Sequence, residues 1–391
     1  MAGLRASEIP TRRPSRRSRY GCRNCKLRKL KCDENKPHCN KCGSFGVFCN
    51  YFSDIPDLQP LAADRGGDSL LKGPSQNPPV SSAVWSCDRS TSFRLNARHQ
   101  EFISRYLGRS LISPDEPNVK YVNRCLLSLA FEHPFLMHAS LGVAFAYDRH
   151  LNAPSRARRS LEECFHLAQA TTLLKQRLKE PIAEKDKDPI WGTAAALVTL
   201  TFSSPDARTP EESWPLNSSG SSGLDWLPMN KSKMAMWHVM NPLRSNSLFR
   251  VMAVTFSQME VPLPVQGRDG ISPNLASLCR LTDFSTAEDN SYFDSAHGLS
   301  YVLGIPDSEI TIGHASPFMR SVDGPFEDLL RRRDPVALLL LYLWYRKSGR
   351  AIWWIGLRAR VECPSIRSYL QICRHANIDV QAFLHEYAIS D

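Results

Sequence analysis

Six cysteines near the N-terminus have the residue type and the spacing to bind metal. They follow the pattern Cys22-x2-Cys25-x6-Cys32-x6-Cys39-x2-Cys42-x6-Cys49. The unit Cys-x2-Cys-x6-Cys therefore occurs twice, and the second copy lies seventeen positions after the first (39 − 22 = 17). Thiolates at such short spacing are typical of a metal site or of a disulfide framework.

The number of these cysteines restricts how they can hold zinc. A structural zinc site takes four ligands in a tetrahedron, so two separate sites would need eight thiolates. The segment has six. One compact solution is a pair of zinc ions that share two thiolates, and the repeat indicates that the shared cysteines are equivalent members of the two copies.

The segment from Cys22 to Cys49 resembles the fungal Zn2Cys6 binuclear cluster, the DNA-binding module of a class of fungal transcription factors. The resemblance includes the basic run 26–31 between the second and third cysteines and Pro37 before the fourth. It implies a cofactor of two zinc ions. It also implies that Cys22 and Cys39 bridge both ions. The four remaining ligands then divide into two pairs: Cys25 with Cys32, and Cys42 with Cys49.

The resemblance assigns roles to basic residues of the same segment. Arg28 and Lys29 are expected to reach the major groove, where a Lys or Arg donor suits the O6 and N7 acceptors of guanine. Other basic residues are expected to contact phosphates, which position a protein on DNA without reading its sequence. These are Arg23, Lys26, Lys31 and Lys41.

The charge of the chain is concentrated around this segment. Residues 1–52 hold thirteen Lys or Arg and three Asp or Glu, a net charge of +10. The other residues hold 49 − 13 = 36 basic and 39 − 3 = 36 acidic side chains and sum to zero. This distribution predicts a polyanionic partner, double-stranded DNA, at the N-terminus.

The chain divides into four predicted segments. Residues 1–20 form a basic, disordered tail that can serve as a nuclear-import signal, and residues 21–52 form the Zn2Cys6 domain. Residues 53–92, rich in Pro, Gly and Ser, form a flexible linker, and residues 93–391 form an all-α regulatory domain. The sequence thus predicts a mainly α protein. Its longest apolar run, Val336–Tyr345, is too short to span a bilayer.

The larger segment shows helical periodicity over many stretches. Helices are predicted at 95–107, 118–131, 135–151, 155–179, 190–202, 231–240, 247–259, 273–281, 292–303, 334–347, 351–361 and 365–375. No heptad repeat follows the cysteine segment, so no coiled-coil dimer is predicted and the oligomeric state is left open.

Three motifs of the larger segment, at 133–139, 209–216 and 352–354, resemble the helical C-terminal region of sterol-uptake-control-type Zn2Cys6 regulators. The resemblance implies a regulatory domain with a lipid or sterol effector. A protein co-regulator is an alternative partner. The tryptophans of this segment also fit an ordinary apolar core.

Enzyme signatures for hydrolases, nucleotide-binding proteins and zinc peptidases are absent from the sequence. Six thiolates around two zinc ions leave no open position for catalysis. We therefore predict a nuclear, sequence-specific DNA-binding regulator of genes transcribed by RNA polymerase II, without enzymatic activity, that reads a CGG-type site. The alternative is a zinc-dependent RNA-binding or metal-sensing protein.

Overall fold

The structure is a computed structural model and describes much of the chain. The described residues are 19–27, 30–36, 39–43, 49–51, 84–87, 91–94, 117–152, 159–205, 207–217, 223–373 and 378–388. The chain separates into two compact units, Met1–Pro79 and Val80–Asp391. The small unit carries the cysteines, and the large unit is helical, which confirms the predicted mainly α fold.

The small unit contains two short helices, α1 (Arg23–Leu27) and α2 (Asn40–Gly43). Each begins directly after the first cysteine of a repeat. The six cysteine side chains form their own buried cluster, with Tyr51 packed against it. In a unit this small, cysteine sulfur takes the place that aliphatic side chains occupy in a larger core.

The large unit is built mainly from helices. They are α3 (Pro117–Ala130), α4 (Pro134–Asn152), α5 (Leu161–Arg177), α6 (Lys187–Phe202), α7 (Trp226–Ala235), α8 (Trp237–Met240), α9 (Ala253–Met259), α10 (Pro273–Leu278), α11 (Phe293–Leu303), α12 (Ile312–Ser321), α13 (Gly324–Arg331), α14 (Pro335–Ala351), α15 (Trp353–Ile372) and α16 (Ile378–Ala388). Short 3-10 turns lie at Glu184–Asp186, Pro210–Glu212, Leu248–Met252 and Asp307–Glu309.

A β-hairpin was not predicted. Strand β1 (Val84–Cys87) pairs antiparallel with β2 (Thr91–Arg94), and Trp85 lies opposite Phe93. Most of it falls inside the stretch 53–92, which was predicted to be a linker. Four-residue strands are too short to show a clear alternating pattern in the sequence. The rest of 53–92 and the helix predicted at 95–107 lie outside the described residues.

Helix α14 runs through the core of the large unit. Its apolar run Val336–Tyr345 is buried throughout, which is why the sequence there is apolar on every face. The helix starts at Asp334, whose carboxylate accepts hydrogen bonds from the backbone N–H groups of Val336 and Ala337. The indole of Trp344 donates to the carbonyl of Ala315 on α12 at 3.0 Å, so a core aromatic also satisfies its polar atom.

Helix α15 is held by a buried arginine. Arg358 donates to the carbonyl oxygens of Phe202 (2.8 Å) and Gly223 (2.9 Å). It also forms an ion pair with Glu362 at 2.6 Å, and Tyr345 donates to the same carboxyl group at 2.6 Å. These bonds tie α15 to the end of α6, to the segment before α7 and to α14.

Several helix boundaries differ from the predicted ones. The two helices predicted at 351–361 and 365–375 are one helix, α15, which continues through Pro364. A proline inside a helix removes one backbone donor and is a strong breaking signal in a sequence, but the packing of α15 against α14 overrides it. Helices α12, α13 and α16 were not predicted, and α12 also contains an internal proline, Pro317.

Among the described helices, none combines the length and the apolar character that crossing a bilayer requires. The apolar run 336–345 instead belongs to the protein core. Of the tryptophans expected in the core, Trp191, Trp344, Trp353 and Trp354 are buried, whereas Trp237 is partly buried against it.

Candidate metal centre

The six cysteine sulfurs of the small unit lie together at its centre. All six side chains are at most 3% exposed. The Cys22 Sγ lies 3.7 Å from that of Cys39 and 3.5 Å from that of Cys42. The Cys25 Sγ lies 3.6 Å from that of Cys39, and the Cys32 Sγ lies 4.0 Å from that of Cys22. The two repeats therefore contribute to one sulfur cluster.

These sulfurs form two overlapping sets of four, each with its members within 4.8 Å of one another. One set is Cys22, Cys25, Cys32 and Cys39; the other is Cys22, Cys39, Cys42 and Cys49. The shared pair is Cys22 and Cys39, the first cysteine of each repeat. The geometry thus brings together the same groupings that the family resemblance implied.

The spacing fits zinc and excludes disulfides for these cysteines. A tetrahedron with Zn–S bonds of about 2.3 Å has S–S edges of about 3.8 Å, close to the separations of 3.5 to 4.0 Å between neighbouring sulfurs here. A disulfide needs sulfurs about 2.05 Å apart, and all six cysteines are free. Six cysteines in two sets of four are suited to two zinc ions.

In the absence of a bound cation, burial favours the protonated form of Cys25 and Cys42. Burial, followed by hydrogen bonds with neighbouring thiols, raises the pKa of Cys25 and Cys42 well above the usual range for a thiol. Burial also raises the pKa of Cys22, but hydrogen bonds from the Cys25 backbone and from neighbouring thiols outweigh it and lower the pKa to about 7. Six thiolates cannot share so small a volume without positive charge, which two Zn²⁺ ions provide.

Each short helix is capped by a residue from the far end of a repeat. The side-chain Oδ1 of Asn50 accepts a hydrogen bond from the Asn24 backbone N–H at 2.7 Å, and the Asn50 carbonyl accepts one from the Arg23 N–H at 3.2 Å, both at the start of α1. Asp33 Oδ2 accepts from the backbone N–H of Asn40, at the start of α2, at 3.0 Å. These bonds satisfy donors that a helix start leaves open.

The two capping residues occupy equivalent positions of the repeat. Asp33 follows Cys32, Asn50 follows Cys49, and the two are seventeen residues apart (50 − 33 = 17). Their role was not predicted. The signal that could have revealed it is an Asp or Asn directly after the last cysteine of each unit.

Tyr51 adds a further contact to the cluster. Its hydroxyl lies 3.3 Å from the Cys32 Sγ, and the Lys36 ammonium lies over its ring, 5.7 Å from the centroid. Burial and the nearby Cys32 raise the pKa of the Tyr51 hydroxyl far above its ordinary value. The neutral hydroxyl is therefore a donor that can support a thiolate at Cys32.

The basic residues proposed for DNA contact lie at the surface of the small unit where they are described. Arg23, Lys26, Lys31 and Lys41 are exposed, and the first two belong to α1. Leu27 and Leu30 are about half exposed on the same segment. Arg28 and Lys29, the predicted base-reading residues, lie outside the described residues, so their role stays a prediction.

Comparison with known proteins places this segment. Residues 20–58 match the model of the fungal Zn(2)-Cys(6) binuclear cluster domain. The chain is 50% identical over 54 residues to a Zn(2)-C6 fungal-type transcription factor of Gibberella zeae, an alignment covering 14% of this chain and 11% of that protein. It is 36% identical over 76 residues to the aspercryptin biosynthesis cluster-specific transcription regulator atnN of Emericella nidulans, covering 18% and 12%.

A third relative is a sterol uptake control protein, the type of regulator that the sequence was found to resemble. The chain is 51% identical over 35 residues to sterol uptake control protein 2 of Saccharomyces cerevisiae, covering 9% of this chain and 4% of that protein. In all three cases the match spans a small fraction of each protein's length. Residues 20–58 of this chain are therefore a fungal Zn(2)-Cys(6) binuclear cluster domain.

Proposed function

We propose that this protein is a nuclear, sequence-specific DNA-binding regulator of transcription by RNA polymerase II, without enzymatic activity. The observation that carries the proposal is the sharing of Cys22 and Cys39 between two four-sulfur sets, inside a segment that matches the binuclear cluster family. A closed site of this kind supplies structure rather than catalysis. Two of the relatives named above are, by name, a transcription factor and a transcription regulator.

The proposed ligand assignment follows the two sets. Cys22 and Cys39 bridge, Cys25 and Cys32 complete one zinc site, and Cys42 and Cys49 complete the other. The metal holds α1 and α2 in place, since structural zinc contributes about 10–16 kcal/mol in comparable peptides. The basic side chains on α1 and beyond it can then meet the DNA backbone and the edges of bases.

The proposed contacts divide by role. Arg28 and Lys29 read bases of a CGG-type site in the major groove, while Arg23, Lys26, Lys31 and Lys41 contact phosphates. Exposure of the last four supports their part. The net charge of +10 on residues 1–52 supplies long-range attraction to a polyanion.

We also propose that the large unit is a separate regulatory domain, beginning near residue 93, that responds to a small apolar ligand or to a protein partner. It carries no basic excess, so it adds little attraction for DNA. The 53–92 segment would act as the linker between the two, with residues 1–20 as a basic tail.

The test is binding of the full-length, zinc-loaded protein to matched nucleic acids. A duplex with a CGG site should compete far better than a duplex with the same bases permuted, and both should compete better than single-stranded RNA. Preference for the RNA would favour the alternative of an RNA-binding protein. Equal affinity for the two duplexes would show that the protein binds DNA without sequence specificity, contrary to the proposal.

A further inference from the structure

The large unit contains a cavity whose lining residues all belong to that unit and include none of the six clustered cysteines. Its volume is about 300 Å³, at the lower end of the range that small-molecule sites span. Helices α3, α4, α6, α7, α9 and α12 contribute to its wall, together with Trp354 of α15. Most lining side chains are apolar, and four of them are the flexible methionines Met234, Met252, Met259 and Met319.

Five charged residues line the cavity, and Lys233 differs from the other four. Lys231, Glu260, Arg320 and Asp323 are exposed, whereas Lys233 is partly buried. Lys231 forms an ion pair with Glu327 at 2.7 Å, and Arg320 forms one with Glu260 at 3.2 Å. These charges belong to the rim of the cavity and are largely neutralised or solvated there.

The ammonium of Lys233 lies over the ring of Trp191, another lining residue, at 4.9 Å from its centroid. Within the described part of the chain it has no hydrogen-bond or ion-pair partner. Burial alone lowers the pKa of Lys233 to about 8. A partly desolvated ammonium against an aromatic face retains cation–π stabilisation but lacks the anion that would offset its lost hydration.

Trp354 also lines the cavity. It is 2% exposed, and its indole N–H finds no acceptor among the described residues. The hydroxyls of Thr199 and Ser316, by contrast, donate to carbonyls of their own helices. The cavity therefore combines an apolar, adaptable wall with one ammonium, that of Lys233, which has no anionic partner among the described residues.

We propose that this cavity binds an amphipathic carboxylic acid, with the alkyl body against the apolar wall and the carboxylate paired with Lys233. A bound carboxylate offsets the positive charge of the Lys233 ammonium, which burial has partly removed from water. The charge-assisted hydrogen bond between the two groups is stronger than a bond between neutral groups. A neutral apolar ligand fills the same wall but leaves the ammonium unpaired. Any effect of the carboxylic acid on transcription rests on the proposed regulatory function of the large unit. Binding of the acid to the cavity can be measured independently of that function.

The test uses the full-length, zinc-loaded protein, with dodecanoate and dodecan-1-ol as probes in calorimetric titration. The two probes share the alkyl chain and differ in the charge of the head group. Dodecanoate should bind about tenfold to a hundredfold more tightly than the alcohol, as expected for one charge-assisted bond. The preference should vanish in Lys233→Met, survive in Lys233→Arg, and be unaffected in Lys120→Met, which removes an exposed lysine of α3 that does not line the cavity.

Three results would overturn the inference. They are equal affinity of the wild-type protein for both probes, an acid preference that persists in Lys233→Met, and no binding of either probe. A single cooperative thermal unfolding transition in Lys233→Met checks that the variant is folded, and Lys233→Arg provides an independent reading if it is not. Zinc content and duplex binding of the same wild-type preparation test the proposed DNA function separately, so that the failure of one is not read as the failure of the other.

Discussion

The side-chain oxygen of Asn50 accepts a hydrogen bond from the backbone N–H of Asn24 at 2.7 Å, although the two residues are 26 positions apart in the chain. Asp33 makes the equivalent bond to Asn40 at 3.0 Å. Each helix start is thus fixed by a residue outside its own helix. The cluster depends on these caps as well as on the sulfurs, and both can be tested separately.

Replacement of the capping residues should weaken the small unit without removing a ligand. Asn50→Ala leaves the buried N–H of Asn24 without its side-chain acceptor, and Asp33→Ala removes the cap of α2. Each change should cost about 0.5–2 kcal/mol, measured as faster or more complete zinc loss to a competing chelator. Asn35→Ala is the control, because Asn35 is exposed, contacts Asp33 and caps neither helix. Equal zinc loss in all three variants would contradict the capping role.

Loss of a shared cysteine should differ from loss of an unshared one. Cys22→Ala removes a sulfur that belongs to both four-sulfur sets, whereas Cys49→Ala removes one that belongs to a single set. We expect Cys49→Ala to retain about one zinc ion per chain and Cys22→Ala to retain less, because the bridge serves both ions. Native mass spectrometry of the full-length proteins measures this directly. Identical zinc content in the two variants would argue against bridging by Cys22.

Two lysine variants should separate base reading from phosphate contact. Lys29→Ala should cost about 1–3 kcal/mol on a CGG duplex and relax the preference at that site. Lys41→Ala should weaken binding to specific and random duplexes alike and reduce the salt dependence of binding. Titrations of both duplexes at two salt concentrations provide the comparison. An equal loss of affinity for the specific and random duplexes in Lys29→Ala would indicate that this residue contacts the DNA phosphates instead of the bases.

Removal of the arginine from the buried Arg358–Glu362 ion pair should cost much more unfolding free energy than removal of the arginine from an exposed pair. Arg358→Met strands the buried Glu362 carboxylate and should cost about 3–5 kcal/mol of unfolding free energy. Arg331→Met is the matched control, since Arg331 pairs with Glu327 at the same four-residue spacing but is exposed, and surface pairs contribute about 0–1 kcal/mol. Urea denaturation measures both. Adding Glu362→Leu to Arg358→Met should recover part of the loss, and no recovery would contradict the explanation.

The pKa of Lys233 predicts how stability depends on pH. Burial lowers this pKa to about 8 in the folded protein, from 10.5. Between these values the unfolded chain binds more protons than the folded one, so the free energy of unfolding should rise with pH over this window. Below pH 8 both states are protonated and the contribution is constant. Lys233→Met should lack this rise when its thermal unfolding is compared with wild type from pH 7.5 to 10.5, and parallel curves would place the Lys233 pKa near its ordinary value.

Much of the metal centre could be predicted from the sequence because cysteine spacing limits geometry strongly. The shared pair Cys22 and Cys39 came from the family resemblance, and the structure groups the sulfurs in the same way. The caps were not predicted, because one polar residue after the last cysteine of each unit, Asp33 and Asn50, is a weak signal beside the cysteine pattern. Their function depends on contacts across the repeat.

In the helical unit, local sequence periodicity predicts some helix boundaries but not others. The apolar run of α14 and the boundaries of α3 and α4 follow from periodicity and from proline at the first turn. Pro364 and Pro317 read as helix breaks, yet tertiary packing holds α15 and α12 continuous. The environment of Lys233 was also missed, because in the sequence it is one more lysine on a polar helix and only packing places it beside Trp191.

The reciprocal caps have a consequence for synthesis on the ribosome. The first repeat emerges with Cys22, Cys25 and Cys32, but its helix α1 still lacks the acceptor at Asn50, and its four-sulfur set lacks Cys39. A nascent chain that ends before residue 50 thus presents an incomplete ligand set or an uncapped helix. The first four-sulfur set is complete once Cys39 has left the exit tunnel, whereas the cap on α1 and the second set require the chain as far as Asn50. Zinc loading is therefore expected in two stages during synthesis, with the stabilised two-zinc unit formed only after the whole cysteine segment has emerged.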